Sequence, residues 1–232
     1  MSRMFLIPTP EGLKPMTTWN VYIGCRHFCS YCNARKAAET RFRRIARYRD
    51  GFEPKLVESE LRRQFKPGEF VFVAYMGDIS FATREETRLI LMGIAHFPET
   101  SFLFCSKNPR VFSEWHLEFP TNLYLGTTLE TNRDYHLSKA PPPLLRLQAL
   151  AAIDWPKKFV SIEPIMDFNL EMFVSWLHWL KPAIIEVGGD NYSNGLPEPS
   201  GPKLADLLER LRRLHFTVVE KEGLERILKK EQ

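Results

Sequence analysis

Three of the four cysteines, Cys25, Cys29 and Cys32, fall within eight residues in the spacing C-x3-C-x2-C. Thiolates are soft donors for iron-sulfur clusters and zinc. Three on one tight loop can hold three irons of a 4Fe-4S cluster, whereas full protein ligation normally uses four cysteines. The fourth iron then keeps an open position, the property that separates a catalytic metal site from a closed structural one. The structural alternative is a zinc site with His27 or the distant Cys105 as fourth ligand. Zinc clusters commonly come as two close pairs, and no second pair follows here. A disulfide reading leaves an odd cysteine. Cys105 lies in an apolar run, where a cysteine is more often a small core residue.

The elements that must position this loop are short runs rich in Val, Ile, Phe and Tyr with helical stretches between them, the pattern of βα units on a parallel sheet. Thr18–Gly24 precedes the cysteines; Phe70–Met76, Ser101–Ser106, Asn122–Leu129, Phe159–Pro164 and Ala183–Val187 follow, with Phe216–Glu220 as a candidate seventh strand. Helices are expected over Ala34–Tyr48, Lys55–Phe65, Arg84–His96, Asn169–Leu180 and Lys203–Leu214. Another should begin at Pro143, where proline suits a first turn, and run to Ile153. Leu196–Pro202 reads as a surface loop. Right-handed crossovers in series give a doubly wound sheet or a barrel, and ligands collect at the C-terminal strand ends of either. Six or seven strands fall short of eight, so the expected fold class is α/β, a partial (βα)6 TIM-like barrel. The cysteine loop then sits where ligands bind.

With 232 residues, 44% hydrophobic and 26% charged, the chain is expected to form a single domain over residues 1–232, with its core at about 17–220. Thirty-two Lys and Arg against 28 Asp and Glu leave a net charge of +4, which permits a phosphate-bearing partner without demanding one. No apolar run approaches the roughly 18–20 residues of a membrane span, so no membrane partner and a cytoplasmic location are expected.

C-x3-C-x-aromatic-C, with Tyr31 as the aromatic, on the loop after the first strand resembles the radical S-adenosylmethionine (SAM) superfamily. The resemblance implies two cofactors, a 4Fe-4S cluster on Cys25, Cys29 and Cys32 and SAM on the open iron. It also implies reductive cleavage to a 5'-deoxyadenosyl radical and a one-electron donor such as ferredoxin or flavodoxin. Tyr75-Met76-Gly77-Asp78 stands where the family has a Gly-Gly-Glu-like segment binding the methionine amino group. Met76 replaces one glycine, and Asp78 is the shorter acid. Cofactor contacts are further implied for Tyr31 and Asn33 on the loop and for Thr128, Glu130, Glu163 and Asp190 at the ends of the fourth to sixth strands. A turn or helix-cap acid explains any one of the last three equally well.

Trp19-Asn20, Gly77-Asp78-Ile79-Ser80-Phe81, Ser106-Lys107-Asn108-Pro109, Leu125–Asn132, Ser161–Pro164 and Val187–Asp190 occur in order. Together they look similar to a small phage-associated radical SAM family found beside three-Cys-motif partner proteins. A more distant similarity to spore photoproduct lyase suits a nucleic-acid or nucleotide substrate; a small metabolite, a peptide, or a non-catalytic iron-sulfur or zinc module are the alternatives. Lys107 is a candidate for binding a carboxylate or phosphate, and Tyr75 for donating a hydrogen atom or stacking on adenine. Arg41, Arg43, Arg44, Arg47 and Arg49, interleaved with Phe42 and Tyr48, suit a nucleic-acid backbone with stacked bases, or a solvated helix face.

Overall fold

The computed structural model describes residues 6–9, 12–115 and 117–229. In chain order, β1 (Leu6–Thr9) and β2 (Gly12–Pro15) form an antiparallel hairpin, followed by β3 (Thr17–Trp19) and β4 (Tyr22–Ile23). Next come α1 (Asn33–Glu39) and β5 (Lys55–Leu56), which pairs antiparallel with β4. The βα series then runs β6 (Phe70–Val73), α2 (Arg84–Ala95), β7 (Ser101–Ser106), α3 (Val111–Glu114), β8 (Leu123–Thr128) and α4 (Pro143–Ala151). It ends β9 (Lys158–Ile162), α5 (Leu170–Leu180), β10 (Ile184–Val187), α6 (Gly201–Arg213), β11 (Val218–Glu220) and α7 (Glu225–Leu228).

One sheet has seven strands in the order β11-β10-β9-β8-β7-β6-β3. The pairs β3–β6, β6–β7, β9–β10 and β10–β11 are parallel, as the βα series requires. All seven expected strands are present, the candidate seventh as β11.

The chain divides into two compact units, one comprising Thr17–Leu125 with Leu137–Ala140 and the other Gly126–His136 and Pro141 onward with the N-terminal hairpin. In the first, Phe102, Leu103 and Phe104 of β7 are fully buried, the mark of a strand covered on both faces. Trp19 packs edge-on to Phe65 at 5.2 Å and donates its indole N–H to Glu60 O at 2.9 Å. The helix α2 starts at a Thr83–Glu86 capping box and buries Ile90, Leu91 and Ile94. In the second, α6 buries Leu204, Leu207, Leu208 and Leu211 at helical spacing, and α4 has its expected N-terminal proline.

Two expected helices are corrected. The stretch Ala34–Tyr48 is helical only to Glu39, and turns lead to a 3-10 turn at Ala46–Tyr48. Phe42 N–H folds back to Ala37 O, its ring stacks on Tyr48 at 5.9 Å, and both join a cluster with Ile23, Phe52 and Met76. Burying those two rings outweighs continuing a helix through the exposed Arg41, Arg43 and Arg44. Lys55–Phe65 is likewise no α-helix. Its first residues pair with β4, Val57 N–H donates to Val21 O, and Glu58–Arg62 forms a 3-10 turn. Among the described residues, no helix is long and apolar enough to cross a membrane.

Candidate functional site

The cysteine loop is welded to the end of β6. Gly24 N–H donates to Met76 O, Asp78 N–H donates to Gly24 O, and Gly24 and Gly77 form a parallel bridge. The approach needs bare backbone: a Cβ on Gly77 would lie 2.9 Å from Gly24 N, and one on Gly24, at φ +83°, 2.2 Å from Glu53 O. Asn20 accepts from Met76 N–H at 2.8 Å. Leu137 O and the Lys139 N–H hold the far side of the loop through Ser30 and His27.

Cys25, Cys29 and Cys32 form no disulfide and are each half-buried. Cys32 caps α1, its sulfur accepting from Arg35 N–H at 3.3 Å, and Cys25 Sγ accepts from His27 N–H at 3.4 Å. Burial, then Asp78, then the neighbouring Cys29 and Cys32 push the Cys25 thiol above its ordinary range, against the His27 N–H. Three thiols on one loop, with N–H donors aimed at two of the sulfurs, fit a polycationic metal centre, which deprotonates coordinating thiols. Cys105 lies half-buried within β7.

Beside the cysteines, Asp78 is buried and accepts from Ser80 N–H and the Ser106 hydroxyl on Oδ1 and from Lys107 N–H on Oδ2. Burial raises its pKa, but the His27 ring, the Ser106 hydroxyl and the Lys107 N–H outweigh it and hold the carboxyl at about 2. His27 Nε2 lies 3.2 Å from Asp78 Oδ2 without the geometry of a hydrogen bond. Lys107 Nζ donates to the buried Tyr31 hydroxyl at 3.3 Å. Asn33 opens α1, Met76 is buried in the aromatic cluster below the loop, and Tyr75 packs edge-on to Phe72 at 5.7 Å. The first unit thus brings together the three cysteines, Tyr31, Met76, Gly77, Asp78 and Lys107. Arg41, Arg43, Arg44 and Arg49 are exposed on turns, while Arg47 pairs with Glu60 at 3.0 Å.

In the second unit, the acids at the strand ends are engaged within the chain. Arg146 donates to Glu130 Oε2 at 2.8 Å and to Thr128 O at 2.9 Å, and both charged side chains are buried. Glu163 accepts from Lys221 Nζ at 2.6 Å, with Glu186 3.8 Å from the same ammonium. Asp190 accepts from the Asn194 N–H and amide, the turn geometry weighed for it above.

Sequence reasoning missed Ser106, Arg146, Glu186 and Lys221, and weighed His27 only as a zinc ligand. Arg146 carried a signal: it is the one cation in a helix that otherwise buries Pro143, Leu147 and Leu150. Ser106 heads the Ser106-Lys107-Asn108-Pro109 segment but was given no role there, and Glu186 and Lys221 carried no signal.

Several solved structures are similar in fold to this chain. A spore photoproduct lyase mutant with bound AdoMet and dinucleoside spore photoproduct matches with a TM-score of 0.55 at 12% identity, over 90% of this chain and 64% of that one. Another spore photoproduct lyase mutant matches with a TM-score of 0.62 at 9% identity, over 94% and 78%. A radical SAM methyltransferase from Sphaerobacter thermophilus matches with a TM-score of 0.55 at 15% identity, over 95% and 70%. The fold is therefore the partial barrel of radical SAM enzymes, and the chain spans about 64% of the length of the first of these structures. The chain belongs to the family described as protein of unknown function DUF5131, whose model matches residues 15–196. No curated protein matches the sequence.

Proposed function

We propose that this chain is a radical SAM enzyme in which Cys25, Cys29 and Cys32 hold three irons of a 4Fe-4S cluster and leave the fourth for SAM. The observation that carries the reading is the placing of three thiols on one short loop, braced against the end of β6, in the fold those enzymes use. Bound there, the cluster and SAM supply reductive cleavage to methionine and a 5'-deoxyadenosyl radical that takes hydrogen from a substrate. The chain's own residues bind and shield. The backbone at Met76 and Gly77 would meet the methionine amino group of bound SAM, Tyr31 and Asn33 would flank it, and the ionised Asp78 carboxylate, held by Ser80, Ser106 and Lys107, would add a fixed negative charge behind that backbone. Lys107, steadied by Tyr31, offers an ammonium to a carboxylate or phosphate; Tyr75, packed on Phe72, is the further candidate as hydrogen donor or stacking ring. Ile23, Tyr48, Phe52 and Met76 keep water from the inner side of the loop. Cofactor contacts by Thr128, Glu130, Glu163 and Asp190 rest on the resemblance alone, as does kinship with the phage-associated group.

A nucleic acid or nucleotide is the favoured substrate, because a similar fold binds a dinucleoside in spore photoproduct lyase and because four arginines stand exposed after α1. The enzyme works in the cytoplasm with a ferredoxin- or flavodoxin-like donor. Anaerobic reconstitution with iron and sulfide tests the core of this: the brown protein, reduced with dithionite, should release 5'-deoxyadenosine from SAM, and Cys29→Ala should not. A colourless protein that releases none refutes it. Substrate class is read by whether RNA, DNA or metabolite pools stimulate the release. Arg43→Glu with Arg44→Glu should remove salt-sensitive nucleic-acid binding.

A further inference from the structure

The buried imidazole of His27 enters that scheme only through Asp78, whose ionisation it supports. Its Nε2 has no hydrogen-bond partner, although the side chain is only 6% exposed. Burying a polar nitrogen in this way is costly unless something else occupies its lone pair or proton. Facing it is Asp78, whose Oδ1 already takes two donors and whose Oδ2 takes one, leaving one lone pair of Oδ2 on the His27 side. One ligand atom each from Cys25, His27 and Asp78 lie within 4.8 Å of one another.

The separations match ligands of one ion better than a hydrogen bond. Metal–nitrogen and metal–oxygen bonds of about 2.0–2.2 Å at a tetrahedral angle put the two donors about 3.3 Å apart; Nε2 and Oδ2 are 3.2 Å apart and off the hydrogen-bond axis. The carboxylate is oriented by Ser80, Ser106 and Lys107, as outer partners commonly orient a metal-binding acid. One thiolate, one imidazole and one carboxylate make a borderline donor set suited to Zn2+ or Fe2+.

We infer that, in the cluster-free chain, Cys25, His27 and Asp78 form a mononuclear site for a divalent cation, Zn2+ or Fe2+, with solvent completing the shell. The site shares Cys25 with the proposed cluster, so the two states exclude each other and the ion gates cluster assembly. Neither His27 nor Asp78 is a cluster ligand, so the two readings fail separately.

The test uses cluster-free protein and Co2+ under anaerobic conditions. One Co2+ per chain should bind with the visible bands of a tetrahedral site and one thiolate-to-metal charge-transfer band, and Zn2+ should displace it. His27→Gln should weaken Co2+ by about 100-fold or more, because losing an inner ligand costs at least as much as losing an outer one. The Cys29→Ala/Cys32→Ala double variant should bind Co2+ as the native chain does. Should Asp78→Asn unfold, as its circular dichroism would reveal, His27→Gln alone carries the comparison. Preloading Zn2+ should slow iron-sulfur reconstitution in the native chain and not in His27→Gln, which should still turn brown. Co2+ binding that survives His27→Gln, or that vanishes in the Cys29/Cys32 double variant, overturns the site. Failure of reconstitution in every variant would instead count against the cluster.

Discussion

Replacing Arg146 with methionine should destabilise the chain far more than removing an arginine from a helix usually does. The guanidinium is 5% exposed and its partner Glu130 1%. It donates to Glu130 Oε2 at 2.8 Å, to Thr128 O at 2.9 Å and, through Nε, to Pro141 O at 2.6 Å. Methionine fills much of the volume, replaces none of these bonds and takes the guanidinium away from the buried Glu130 carboxylate. Breaking a buried pair from one side costs about 3–5 kcal/mol. At about 2–4 °C per kcal/mol for a chain of this size, the melting temperature should fall by roughly 6–20 °C. Replacing both partners by apolar residues, Arg146→Met with Glu130→Leu, should recover most of the loss, because a buried pair exchanged for well-packed apolar groups is often neutral or better. Urea midpoints of the two single variants and the double, at constant slope, close the cycle. A single variant within about 1 kcal/mol of wild type, the range of a surface pair, would refute the buried-pair reasoning.

Other substitutions probe the rest of the framework. Gly24→Ala puts a methyl group 2.2 Å from Glu53 O at φ +83°; it should cost at least about 1–3 kcal/mol and lower the iron retained after reconstitution, measured by metal analysis. Cys105→Ala should leave iron content unchanged, and a drop would make Cys105 a ligand. Asp167 is pushed up by partial burial but held below the usual carboxylate range by Lys203, 2.7 Å away, and by Arg133. A carboxyl depressed in the folded state contributes stability above its unfolded pKa, about 3.9, and loses it as pH falls through the lower folded value. Unfolding midpoints from pH 6 to pH 2 should therefore fall less steeply in Asp167→Asn than in wild type, and parallel curves would remove Asp167 from the account.

The sequence by itself determined the features whose causes are local. Three thiols within eight residues are close together whatever the fold, because a loop that short keeps them so, and that closeness is what points to metal chemistry. Continuous apolar runs such as Phe102–Phe104 mark strands buried on both faces, and Pro143 and Asn169 mark helix starts. Only the tertiary structure decided where α1 stops, because Phe42 and Tyr48 leave helical spacing to bury against Met76, a residue more than twenty positions away. It also decided the partners of the charged groups: Lys221 reaches Glu163 across 58 residues, and His27 meets Asp78 from the adjoining strand end. Such pairs follow no periodic pattern. A buried charge is stabilised by whichever group the sheet order brings opposite it, so its partner is legible only once the strands are in place.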